Sequence, residues 1–273
     1  MTSSIPFSEQ TAADSLKLIT MALAEDIGTA DINAGIDCTT DAIVPKTAPA
    51  AAAFVSRESG IVCGVAVTKM VLETFSPKIE LDVEIEDGAP VEPGQTIAVM
   101  RGAAHDILTM ERTCLNFMCR LSGISSLAHR FAVEIGSNQT KVLDTRKTTP
   151  GWRRLEKYAV ACGGGSNHRM GLYDAIMIKD NHIALAGGID EALSAIKAGA
   201  DHMTRVSVEV DTLTQLKTVL KFSPDVVLLD NMNAAKLKKA VAIVDTFSGR
   251  RPVLEASGGV NLQTVRGLAE SGI

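Results

Sequence analysis

The spacing of apolar residues changes character along the chain, and each change predicts an element. In residues 11–25, Leu16, Ile19 and Leu23 recur at helical spacing and predict an amphipathic first helix. Residues 26–49 are rich in Gly, Asp, Thr and Pro, lack a clear period and read as a long irregular connection. Residues 50–58 and 61–63 read as strands around a turn at Ser59-Gly60, and 65–75 as a helix stopped by Pro77. Ile79, Leu81, Val83 and Ile85 then alternate with polar partners at the period of a half-buried strand. Gly88 and Pro93-Gly94 punctuate a hairpin that returns through residues 96–100. Ile107, Met110, Cys114, Phe117 and Leu121 form one stripe of a long helix over 105–121, with Arg112 off that stripe. A separate helix is expected over roughly 127–135.

Beyond residue 140 the rhythm becomes strand, helix, strand. KVLD (141–144), AIMIK (175–179), VSVEV (206–210), VVLLD (226–230) and PVLEAS (252–257) alternate with helical patterns near 152–162, 189–198, 212–222, 233–247 and 261–270. That alternation predicts parallel strands with right-handed crossovers. Asp144 and Arg146, Lys179, Glu209, Asp230, and Glu255 with Ser257 all fall at carboxyl ends of these strands, where an α/β barrel carries its chemistry.

Composition narrows the function classes. With 273 residues, 46% hydrophobic and 22% charged, the chain is of ordinary globular make-up. Its net charge of −5 argues against a long nucleic acid as partner. No apolar run reaches the length of a membrane span, and the N-terminus lacks the basic start and apolar core of a signal peptide, so a cytoplasmic protein is expected. Five cysteines without CxxC spacing suggest neither a disulfide framework nor a zinc site.

The charge is unevenly distributed. Residues 141–182 hold eight Lys or Arg against four carboxylates, so this segment is +4 and the remainder −9. Cations concentrated at strand ends suit a small polyanion. Arg146, Lys147, His168, Arg169 and Lys179 are donors matched to carboxylate and phosphate oxygens. Ser257-Gly258-Gly259 follows a late strand and precedes a helical pattern, where backbone N–H groups commonly hold phosphate. Glu209 and Asp230 need something positive or hydroxylated: a ribose, a Mg²⁺ ion or a developing oxocarbenium charge. Taken singly, each residue also has a plain alternative as a solvated side chain, a helix cap or a turn.

The segments ERTCLNFMCRLSGISS, DTRKTTPGWRRLEKYAVACGGGSNHRMGLYDAIMIKDNH, VEVDTLTQL, LLDNM and EASGGVNLQTV closely resemble the quinolinate phosphoribosyltransferase family, also called nicotinate-nucleotide pyrophosphorylase (carboxylating). The likeness runs from about Leu16 to the last residue. It implies an N-terminal α/β sandwich domain over 1–115 and an incomplete parallel α/β barrel over 116–273. The implied reaction converts quinolinate and phosphoribosyl pyrophosphate to nicotinate mononucleotide, CO₂ and pyrophosphate, with Mg²⁺ and no organic cofactor. It also implies a homodimer or higher homo-oligomer in which one subunit's N-terminal domain covers its partner's barrel mouth.

Carried over by residue, Arg146, His168, Arg169 and Lys179, with Arg112 reaching in from the partner subunit, hold the quinolinate carboxylates. Lys147 lies in the same cationic wall and faces phosphate. Glu209 and Asp230 meet the ribose hydroxyls and the metal, and Ser257, Gly258 and Gly259 bind phosphate. Lys179, Glu209 and Asp230 carry the catalytic roles. Two departures stand out: Ala30-Asp31-Ile32-Asn33 replaces the usual Gly-Asp-Ile-Thr, and beyond Ile273 the family continues into another strand and a phosphate-binding segment. Rival expectations are a transferase for a different base such as the molybdenum-associated homologue, a Schiff-base aldolase using Lys179, and a non-catalytic subunit that binds phosphorylated metabolites.

Overall fold

The structure is a computed structural model and describes residues 7–29, 31, 34–136, 139–201 and 203–273. Ala30, Ile32 and Asn33 of the first departure lie outside the described residues. The chain divides into two units, Met1–Ala132 with Val142–His168, and Val133–Lys141 with Arg169–Ile273.

In order, the first unit holds α1 (Glu9–Ile27), α2 (Cys38–Ile43), β1 (Pro49–Val55), β2 (Gly60–Ile61), α3 (Val65–Phe75), β3 (Glu80–Val83), β4 (Pro90–Val91), β5 (Thr96–Ala103), most of α4 (Ala104–Ile135) and α5 (Arg153–Cys162). Strands β1, β5 and β3 form an antiparallel sheet with β5 in the centre. Its apolar positions, Phe54, Ala98 and Met100, join one core with Ile19 and Leu23 of α1, Val71 of α3, and Met110 and Phe117 of α4. The predicted stripe on α4 is buried throughout, and Arg112 is exposed as its position off the stripe requires.

Several expectations need correction. The stretch read as irregular contains α2, started by Asp37, whose Oδ1 accepts from Thr40 N at 2.9 Å. The Thr40 hydroxyl and N–H hold the Asp37 carboxyl below its usual range. Six residues without an apolar stripe leave no periodic signal. The two helices expected over 105–135 are one, because Ser122 and Ser126 do not break the helix but bond a neighbouring segment. Ser122 Oγ accepts from Cys63 N at 2.9 Å and donates to Cys63 O at 3.0 Å, and Ser126 Oγ accepts from Ile61 N at 2.9 Å. With its main chain satisfied there, β2 pairs with β4 rather than turning back onto β1. All five cysteines are free; three are buried, and burial pushes the Cys114 thiol up to about 12.

KVLD is not a strand. It makes a single parallel bridge, Leu143 to Ser166, with Asp144 N donating to Ser166 O and Ser166 N to Val142 O. Its partner is the glycine run after α5, which is closely fitted rather than loose. A Cβ on Gly163 would lie 2.2 Å from Ser125 O and 2.8 Å from Ala128 Cβ on α4, and one on Gly165 would lie 2.6 Å from Val160 Cγ1. Gly163→Ala is therefore expected to cost about 3 kcal/mol through overpacking. Calorimetry should register this as a fall of roughly 6–12 °C in Tm. An unchanged Tm would show that α4 and α5 can separate freely.

The second unit holds β6 (Ile176–Ile178), α6 (Asp180–Ala186), α7 (Ile189–Gly199), β7 (Val206–Val210), α8 (Leu213–Leu220), β8 (Val226–Asp230), α9 (Ala234–Asp245), β9 (Val253–Ser257) and α10 (Val265–Ala269). The strands form a parallel sheet in the order β6-β7-β8-β9, so each neighbour in sequence is a neighbour in space. This is the expected α/β architecture. Along β7 and β8 the two faces separate by alternation. Val208, Val210, Val227 and Leu229 enter a core with Leu193, Leu216, Leu237 and Val244 of the covering helices. The intervening residues, Glu209, Leu228 and Asp230, are less buried and share the other face. Helix α6 was not expected and has no buried residue, which is why no apolar pattern announced it.

Candidate active site

The strand register explains which charged residues meet. Ile178 pairs with Val208, so Lys179, just beyond β6, stands level with Glu209 on β7. Their side chains form an ion pair, Lys179 Nζ to Glu209 Oε2, at 2.9 Å. Lys179 also begins α6, where its backbone N–H donates to His182 Nδ1 at 2.9 Å. One strand pair further on, Asp230 and Ser257 are direct register partners, and Ser257 Oγ donates to Asp230 Oδ1 at 2.5 Å. Asn231 Nδ2 holds the other oxygen of Asp230 at 2.7 Å. The sheet thus presents a cation, two carboxylates and a hydroxyl on one face at the carboxyl ends of adjacent strands.

The turn after β9 is built around Asn231. Asn231 has φ 51°, a strained value for a residue with a side chain, and its N–H donates to Ser257 O. Gly258 follows at φ 82°, and a Cβ there would lie 2.1 Å from Asn231 Oδ1, so only glycine fits. Ser257, Gly258 and Gly259 follow β9 and precede a helix, as expected, but not directly. Helix α10 begins only at Val265, and the intervening turn is held by Asn261 and Thr264. Any anion held by Gly258 and Gly259 would therefore meet turn N–H groups rather than a helix terminus.

Arg169, the first residue of the second unit's longer segment, donates from Nη1 to Ala175 O at 2.7 Å. The loop that follows is closed by Asp174, which accepts from Met170 N and Gly171 N. Burial raises the Asp174 pKa, but those N–H bonds and the nearby Arg169 charge outweigh it and leave the carboxyl below its usual range.

In the first unit, Arg146, Lys147 and His168 lie on the segments joined by the Leu143–Ser166 bridge. Arg146 is half-buried, and its Nε is a buried donor without an acceptor among the described residues. A guanidinium N–H is a donor suited to carboxylate or phosphate oxygens. Lys147 is exposed. Arg112, on α4, lines a cleft of about 410 Å³ with Asp26, Asp37 and Thr109, and forms no ion pair among the described residues.

Not all of the positive island is available for ligands. Lys157 is buried against Asp144, Arg154 pairs with Asp14 at 2.8 Å, and Arg153 donates to Thr148 Oγ1 and Arg146 O. The Asp144–Lys157 pair and Asn231 were missed as site-building residues. In sequence, a lysine on a helix reads as solvated, and Asn231 reads as an ordinary turn residue.

Glu209 and Asp230 offer carboxylate oxygens from adjacent strands on one face, and among the described residues no group of three or more His, Cys, Asp or Glu could hold a metal ion. Two carboxylates completed by substrate phosphates suit Mg²⁺.

Comparison with known proteins bears on the whole chain. Residues 37–122 match the family described as "Quinolinate phosphoribosyl transferase, N-terminal domain", and residues 124–273 match its C-terminal domain. The nicotinate-nucleotide pyrophosphorylase (carboxylating) of Mycobacterium leprae is 40% identical over 247 residues, covering 89% of this chain and 86% of that protein. The nicotinate-nucleotide pyrophosphorylase structure from Francisella tularensis superposes with a TM-score of 0.87 at 36% identity, over 96% of this chain and 89% of that one. NadC from Streptococcus pyogenes gives a TM-score of 0.87 at 33% identity, over 96% and 88%. The chain belongs to the quinolinate phosphoribosyltransferase family.

Proposed function

We propose that this chain catalyses decarboxylating phosphoribosyl transfer: quinolinate and phosphoribosyl pyrophosphate give nicotinate mononucleotide, CO₂ and pyrophosphate in NAD biosynthesis. The enzyme is a pentosyltransferase, the class to which a phosphoribosyltransferase such as its named relatives belongs. The structural observation that carries the reading is the row on one sheet face, Lys179 against Glu209 and Asp230 against Ser257. It offers a cation for an anionic substrate, and acceptors for the hydroxyls of a sugar, within two strand positions.

The roles follow from charge. Arg146, His168, Arg169 and Lys179 bind the two quinolinate carboxylates, with Arg112 supplied by the partner subunit of a homodimer. Lys147 faces phosphate. Glu209 and Asp230 engage the ribose hydroxyls and hold Mg²⁺, which when bound neutralises charge on the pyrophosphate. Ser257, Gly258 and Gly259 offer a hydroxyl and turn N–H groups to phosphate. Cations around a dianion allow two negatively charged substrates to meet, and fixing the ring nitrogen in line with the anomeric carbon supplies much of the rate.

The nitrogen–carbon bond forms as the bond to pyrophosphate breaks, leaving a cationic pyridinium. Loss of the 2-carboxylate as CO₂ then leaves its electron pair at the carbon beside that nitrogen, where a proton replaces it. The ring is the electron sink, so this chemistry calls on no organic cofactor. A cytoplasmic enzyme fits such soluble substrates, and among the described residues no helix is long and apolar enough to cross a membrane.

The test is an assay with phosphoribosyl pyrophosphate and Mg²⁺, offering quinolinate or nicotinate and measuring CO₂ and mononucleotide. Turnover is expected with quinolinate, one CO₂ per mononucleotide, and its loss on chelation. Nucleotide formation without CO₂ would assign the chain to a different base.

A further inference from the structure

We infer that the buried Asp144–Lys157 pair, with Asn167, is a positioning device for His168; the inference rests on reading His168 as a quinolinate ligand. The Lys157 side chain is 1% exposed and that of Asp144 6%, so both charges are removed from water. Lys157 Nζ donates to Asp144 Oδ1 and, at 2.9 Å, to His168 O. His168 N donates at 2.8 Å to the same Asp144 Oδ1. In the orientation its neighbours dictate, the Asn167 amide donates to Asp144 Oδ2 at 2.8 Å and to Lys157 O at 3.0 Å. Both main-chain groups of His168 are therefore held by the two partners of one ion pair.

This arrangement is poorly explained as a source of stability. Taking two charges out of water costs about as much as their attraction returns, and well-packed apolar replacements are often neutral or better. What apolar side chains could not do is bond a peptide on both sides of one residue. His168 follows the glycine run, in which Gly164 has φ 88°, and lies outside any helix or strand, so no regular element fixes its peptide. The bridge at Ser166 fixes the chain two residues earlier, and the ion pair fixes it at His168 itself. Lys157 sits thirteen residues from Asp144 and eleven from His168, on a helix whose buried neighbours, Leu155, Tyr158 and Ala159, lock its place.

The test uses Asp144→Asn/Lys157→Met. This variant has no unpaired charge and keeps an acceptor for His168 N, but loses the donor to His168 O. The milder Asn167→Ala, at an exposed position, leaves the ion pair itself intact. Quinolinate KM should rise about 10- to 100-fold in the first variant, as expected for a displaced ligand group. In the second it should rise about threefold. KM for phosphoribosyl pyrophosphate should stay within about twofold in both. In a His168→Ala background neither change should raise quinolinate KM further, since a device acting through His168 has nothing left to position. A purely structural role would instead lower Tm and kcat and leave both KM values alone, and that result overturns the inference. So would an unaltered quinolinate KM in Asn167→Ala, should the double variant fail to fold. A wild-type chain that does not turn over quinolinate would refute the functional reading instead.

Discussion

Lys179→Met should lower kcat/KM for quinolinate by about 10²- to 10³-fold, the loss typical of one preorganised donor to developing charge. Stability should hardly change. The Lys179 side chain is 45% exposed, and an ion pair in contact with water contributes about 0–1 kcal/mol. The damage has two parts. One is the lost cation; the other is Glu209, 13% exposed, which is left as an uncompensated negative charge facing anionic substrates. Lys179→Met/Glu209→Gln separates them, since removing the orphaned carboxylate should restore part of the KM effect but not kcat. Quinolinate-dependent CO₂ release, with Tm as control, checks both. A loss below about fivefold in the single variant would remove Lys179 from the reaction.

Arg112→Ala and Lys179→Ala should each be inactive alone, yet regain activity when co-expressed. The expectation follows from the proposed shared site. Arg112 is exposed on α4, makes no ion pair among the described residues, and belongs to the first unit, whereas Lys179 belongs to the second. If each site takes Arg112 from one subunit and Lys179 from the other, a mixed dimer holds one site with both defects and one intact site. Random pairing of equal amounts then gives roughly a quarter of wild-type activity. Activity measured against the mixing ratio should peak near equality. Absence of activity at every ratio would mean that both residues serve a site within one chain.

The fold was most legible where periodicity and length agreed. Strands β7 and β8 and helix α3 run over the residues expected from pattern, because β-branched runs and a continuous apolar stripe each admit one reading. It was least legible where side chains served a distant backbone. The gap left between the helices expected over 105–121 and 127–135 holds Ser122 and Ser126, whose hydroxyls serve Cys63 and Ile61. KVLD looks like a strand because apolar composition does not reveal that its partner offers a single bridge. In the site, charges at strand ends were visible as types, and register then paired Lys179 with Glu209 and Asp230 with Ser257. The Asp144–Lys157 pair stayed hidden because burial of a lysine depends on a partner thirteen positions away, which no local pattern encodes.

The alternation along β7 and β8 places two different constraints on neighbouring residues. At Val208, Val210, Val227 and Leu229 the covering helices admit substitutions by volume; at Glu209 and Asp230 the opposite face admits them by charge. A single inserted or deleted residue within either strand would exchange the two constraints, driving carboxylates into the apolar core and valines toward substrate. Length changes should therefore be absorbed in the connections, such as the residues between α9 and β9, while the five-residue strands keep a constant length across relatives with different sequences.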